Sequence, residues 1–163
     1  MKFPLSLLCI VLSAASAHGV AAGRVGAAEV RATPNGAPCF TVAEREEERS
    51  GTPNFHSVTV SDAGGHVLWT MTMPPDRTFP VTYSMCIPYA GRVQALPQTP
   101  AARLEPDTPY QVRIEGRRGK GATAPGAYEA RFCLVRQRDG SSMVRQAARA
   151  AGAKRETCAG RPA

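Results

Sequence analysis

Tyr110-Gln111-Val112-Arg113-Ile114-Glu115 alternates apolar and polar residues without a break. A period of two turns Tyr110, Val112 and Ile114 toward a core and Gln111, Arg113 and Glu115 toward water, the pattern of a half-buried strand. Downstream, Tyr128, Ala130, Phe132 and Leu134 alternate with Glu129, Arg131 and Cys133 in the same way. Upstream, Val58 and Val60 alternate with Ser57, Thr59 and Ser61, and Asp62-Ala63-Gly64-Gly65 supplies a turn. Val67, Trp69, Met71 and Met73 then alternate with Leu68, Thr70 and Thr72, which completes a hairpin that Pro74-Pro75-Asp76 ends. Working further outward, 29–33 and 39–42 read as short strands split by the turn Pro34-Asn35-Gly36. Phe79, Val81, Tyr83, Met85 and Ile87 share one face of another strand, and Trp69 and Tyr83 are expected in the core. About seven short strands with Gly/Pro turns predict a mostly β fold, an immunoglobulin-like antiparallel β-sandwich, over residues 29–137.

The segments between and around the strands carry weaker patterns. Residues 18–28 are small and Gly/Ala-rich, and read as a flexible N-terminal segment. Residues 44–54, with Glu46-Glu47-Glu48, read as a solvated charged loop. Residues 90–107 are rich in Pro and Ala and read as loop, and 117–126 as a flexible basic loop. After Gln137 the alternation stops. Ser141 or Ser142 can cap a short helix with Met143, Ala147 and Ala151 on one side, within a C-terminal tail 138–163.

The first residues point to export. One charge at Lys2 precedes about a dozen apolar or small residues, and Ala15-Ser16-Ala17 gives the small-x-small pattern of a signal peptidase site. Residues 1–17 are therefore expected to be a signal peptide, cleaved near Ala17. The apolar run is too short for a membrane anchor, and Leu7-Leu8 precede Cys9 where lipid attachment requires small residues. The expected location is the periplasm or the exterior. Removing 17 residues from 163 leaves 146, enough for one small domain. The formal charge of +7 is spread along the chain with no interleaved aromatic residues, which argues against nucleic acid as a partner.

Cleavage leaves Cys39, Cys86, Cys133 and Cys158. An even count in an oxidising compartment predicts two disulfides, and no pair has the close spacing of a zinc site. Four cysteines allow three pairings. We favour Cys39–Cys86 and Cys133–Cys158, the second stapling the tail to the domain.

No catalytic constellation is evident. The chain lacks a Gly-x-Ser-x-Gly elbow, a phosphate loop, a His-x-x-x-His pair and a clear acid pair. The reading is a non-enzyme with no cofactor and no metal. One alternative uses the histidines. Cleavage after Ala17 would make His18 the N-terminal residue, where amine and ring together chelate copper, with His56 or His66 as a further nitrogen ligand.

Four segments occur in order: Pro38-Cys39-Phe40-Thr41-Val42, Tyr83-Ser84-Met85-Cys86-Ile87-Pro88-Tyr89, Pro109-Tyr110-Gln111-Val112-Arg113-Ile114 and Tyr128-Glu129-Ala130-Arg131-Phe132-Cys133. Over 29–136 this series resembles the type VI secretion immunity periplasmic (lipo)proteins, small bacterial envelope domains. The resemblance implies a non-catalytic binder that neutralises an incoming toxin through a complementary surface on a rigid scaffold.

Overall fold

The computed structural model describes residues 24–93, 96–117, 124–147 and Cys158. Nine strands and one helix follow in chain order: β1 Val25–Ala32, β2 Pro38–Val42, α1 Glu44–Ser50, β3 Asn54–Asp62, β4 Val67–Thr72, β5 Phe79–Pro80, β6 Ile87–Pro88, β7 Pro109–Arg117, β8 Ala127–Arg136 and β9 Ser142–Gln146. The strands form one mixed sheet in the order β4-β3-β7-β8-β1-β2-β6, with β5 on β3 and β9 on β8. Every pair is antiparallel except β1 with β8.

The sheet curls on itself because β1 changes partner midway. Val25 to Ala27 lie parallel to Ala127–Glu129 of β8, whereas Ala28 to Ala32 pair with Val42–Pro38 of β2. This brings the two ends of the hydrogen-bonded order face to face. Phe40 on β2 packs its ring 6.5 Å from Trp69 on β4 and 5.5 Å from Phe132 on β8. Trp69, Tyr128, Phe40, Phe132 and Ile114 are the largest fully buried side chains. The predicted alternation on β7 and β8 holds: Tyr110, Val112, Ile114, Tyr128, Ala130 and Phe132 are buried. Outward, Arg113 pairs with Glu115 at 3.1 Å and with Glu129.

Both expected disulfides are present. Cys39–Cys86 spans 47 residues and Cys133–Cys158 spans 25. In the chain-entropy account they stabilise the fold by about 4 and 3.5 kcal/mol. Two such bridges fit an oxidising, exported environment. Among the described residues no helix is long and apolar enough to cross a membrane.

Four expectations are corrected. First, order begins before residue 29: β1 starts at Val25, and Arg24 Nη1 lies 2.8 Å from Glu46 Oε2. Gly26 makes this possible, since a Cβ there would sit 2.6 Å from the Tyr128 ring. Residues 18–23 lie outside the described part.

Second, 44–54 is not all loop. Residues Glu44–Ser50 form α1, with Glu44, Glu46 and Glu47 in the first turn and Arg49 in the last, which suits the helix dipole. Third, the strand expected over 79–87 survives only as β5 and β6. Pro80 and Pro88 have no N–H for a ladder. The backbone between them turns instead, with Met85 N donating to Thr82 O at 3.0 Å. Tyr83 is half-buried rather than in the core, with the Arg31 guanidinium 4.1 Å from its ring centre.

Fourth, the helix expected from Ser141 or Ser142 is strand β9. Asp139-Gly140 forms a hairpin turn in which Ser141 N and Oγ donate to Asp139 Oδ1 at 2.9 and 2.6 Å. β9 extends the sheet along the part of β8 that β1 leaves free, with Phe132 opposite Gln146 and Arg136 opposite Ser142. Val30 N then donates to Gln146 Oε1 at 2.7 Å, and Gln146 Nε2 donates to Ala28 O at 3.2 Å. The amide thus stands in for a strand neighbour on β1. Met143 and Ala147 therefore belong to or flank a strand, and Ala151 lies outside the described residues.

Candidate functional site

Among the described residues, β3, β4, the broken strand 79–87 and the start of the 90–107 loop together build one distinctive surface. Alternation on β4 continues past the core: Trp69 is 1% exposed, Met71 4%, and Met73 is half-buried farther along the same face. Opposite β4, β3 places Phe55 in the register that pairs it with Phe79. Between these strands and the 85–93 segment with Leu96 lies a half-open groove of about 480 Å³. Phe55, Met71 and Val81 line it from the buried side, and Ile87, Pro88 and Leu96 also border it.

Its remaining lining is unusual in being both apolar and exposed. Phe79 is 44% exposed, Met85 36% and Val93 44%. Three of the six exposed large hydrophobic residues among those described therefore line one groove, the others being Val25, Val67 and Met143. Isolated apolar residues on a surface need no explanation, but a contiguous patch marks a contact site. The three lining methionines, Met71, Met73 and Met85, add unbranched, polarisable side chains that reshape to fit a partner.

The walls are held rigidly. Buried Thr41 donates from Oγ1 to Thr82 O at 2.9 Å, and Tyr83 N donates to Glu47 Oε2 of α1 at 2.6 Å. Cys86 is tied to β2 through Cys39. Tyr89 anchors the 87–93 side: its ring lies 5.4 Å from Trp69 and its hydroxyl donates to Ala102 O at 2.7 Å. Burial, with a smaller contribution from Tyr110, pushes the Tyr89 phenol up to about 12. The next residue, Ala90, holds a left-handed φ of 58°, and the turn there leads into Arg92 and Val93.

Arg92 is the sole ionisable side chain among the described residues lining the groove. It is exposed, and it makes no ion pair or hydrogen bond with any described residue. The arrangement buries apolar groups and offers one cation at its edge. It supplies no pair of groups for proton transfer.

The histidines lie elsewhere. His56 sits on β3 at the irregularity between Phe55 and Ser57, half-buried, with Nδ1 unpartnered. His66 is exposed beyond the other end of β3, its Nδ1 3.0 Å from Asp62 Oδ2. That contact and two backbone amides hold the Asp62 carboxyl below its ordinary range. About six strand residues separate the two histidines, roughly 20 Å, too far to share one ion. His18 lies outside the described residues. No group of three His, Cys, Asp or Glu side chains among the described residues could hold a metal ion.

Sequence reasoning placed Met71 and Met73 on one strand face but missed the groove. The available signal was the pair of prolines, Pro80 and Pro88, inside an apolar run that could not then be one strand. No family model matches this chain, and no curated protein or solved structure matches it.

Proposed function

We propose that the protein is an exported, periplasmic, non-catalytic protein-binding domain, and that its partner is a type VI secretion toxin that it neutralises. The carrying observation is the groove, where Phe79, Met85 and Val93 leave apolar surface exposed beside an apolar interior. A soluble domain keeps such a patch when something covers it. Two disulfides and the Tyr89, Thr41 and Glu47 anchors fit a scaffold that binds without rearrangement. The four segments that resemble immunity proteins favour a toxin as the occupant. The N-terminal pattern through Ala17 favours a cleaved signal peptide.

We infer an immunoglobulin-like sandwich, in which β4-β3-β7-β8 and the first half of β1 make one layer and the second half of β1 with β2 and β6 makes the other. The change of partner within β1 and the Phe40–Trp69 contact support this division.

The test is affinity capture of the processed, oxidised protein from its native cell envelope, with mass spectrometry of what co-purifies. A near-stoichiometric toxin is expected, and a neutralisation assay follows. Met85→Glu, a change at an exposed position, should lose the partner while melting at the same temperature. A partner retained by both Met85→Glu and Phe79→Asp, or no partner at all, overturns the reading.

A further inference from the structure

The groove carries information about what occupies it. Its interior is apolar, its edge holds the exposed and unpaired Arg92, and no carboxylate among the described lining residues answers that charge. Resting on the protein-binding reading, we infer that the occupant is an apolar peptide segment flanked by a carboxylate, which pairs with Arg92 while the apolar side chains enter between Met71, Met73 and Met85. A cationic flank would meet Arg92 as a like charge.

The groove's border also defines how such a segment is held. The two short strands beside it, β5 and β6, each contain a proline, Pro80 and Pro88. A proline removes one donor from each edge and interrupts the ladder that an added strand needs. Recognition therefore runs through side chains rather than strand addition. The exposed Phe79, Met85 and Val93 extend apolar contact beyond the cavity. That extension fits a peptide lying across a protein surface better than a small ligand that a cavity would enclose. A volume of about 480 Å³ accommodates two or three apolar side chains.

The experiment uses the full processed, oxidised chain labelled with ¹³C at the methionine methyls. Met143 on β9 lines no part of the groove and serves as an internal control. One probe is an N-acetylated hexapeptide of leucine, valine and serine with a free C-terminal carboxylate. The others are the same peptide amidated and dodecanoate. The acidic peptide should shift the Met71, Met73 and Met85 signals and leave Met143 in place. It should bind about three- to fivefold tighter than the amide at low salt, the scale of one exposed ion pair. That preference should vanish in Arg92→Gln, with apolar binding retained.

Equal binding of acidic and amidated peptides to the native chain overturns the assignment of charge but leaves a protein-binding groove. Dodecanoate shifting the three methyls while neither peptide does overturns the peptide assignment. No shift of the three methyls with any probe overturns this inference and the groove's binding role together.

Discussion

Replacing Gly26 by alanine tests the docking of β1, the part of the fold least evident from its own sequence. An added Cβ would lie 2.6 and 2.8 Å from two carbons of the Tyr128 ring and 2.9 Å from Pro125 Cγ. Tyr128 is 1% exposed, so its ring has no open space to enter. Over-packing of this kind costs about 1–3 kcal/mol. Against it stands a gain of about 0.4–1 kcal/mol from a less flexible unfolded chain. The clash wins, with a net loss of about 1–2 kcal/mol. For a chain of this size that lowers the melting temperature by about 2–8 °C. Near-UV circular dichroism followed through thermal melting gives the number. Val25→Ala, next to it but 37% exposed, should shift the midpoint much less. A Gly26→Ala protein that melts at or above the native temperature would refute the packing of β1 on β8, and 24–28 would then be a loose leader.

Four further outcomes follow from the same contacts. The Cys39→Ala/Cys86→Ala double variant should lose about 4 kcal/mol and Cys133→Ala/Cys158→Ala about 3.5, read from urea unfolding at matched slopes. Equal midpoints for the native chain and both variants would contradict the assigned bridges. Thr41→Val should lose about 1 kcal/mol rather than the full desolvation penalty, because Thr82 O keeps the Met85 amide as a donor; broadened Met85 methyl signals should accompany it. The depressed Asp62 pKa favours the folded state at neutral pH, and this contribution fades as the pH falls below about 4 through the folded value. Asp62→Asn should flatten that part of the acid unfolding curve, and an unchanged curve would count against the His66 contact. Tyr89 behaves in the opposite sense: its raised value favours the fold below about 10 and is lost toward about 12, so an ultraviolet alkaline titration should find it ionising late, and normal ionisation in the folded chain would exclude its burial.

The parts of the fold that were legible in the sequence share one physical property. β3, β4, β7 and β8 each have a wet face and a dry face, and a period of two reports that directly. That there are two bridges was legible from the even cysteine count in an oxidised chain, whereas the favoured pairing was one of three that spacing alone leaves open. α1 was hidden because its seven residues are nearly all charged and carry no apolar stripe. β9 was hidden because Val144 alternates with exposed Met143 and Arg145, which gives no clear inside. Asp139-Gly140 was a hairpin signal all the same. The groove was illegible for a deeper reason. Its residues come from β3, the end of β4, β5, the turn after it, β6 and the loop beyond, segments far apart in the chain that the fold brings together. His56 and His66 illustrate the converse, close in the chain yet held apart by the length of β3.

The divided pairing of β1 bears on when the protein can finish folding. A chain synthesised from its N-terminus presents Ala28–Ala32 and their β2 partners within a few residues of one another, so that hairpin can close early. Val25–Ala27 must wait about a hundred residues for Ala127–Glu129, and Gln146 reaches Val30 later still. Contacts so distant in sequence close slowly. During that wait the hairpin keeps an unclaimed edge on which a helper protein could act, and the final seam is sewn only when nearly the whole chain is in hand.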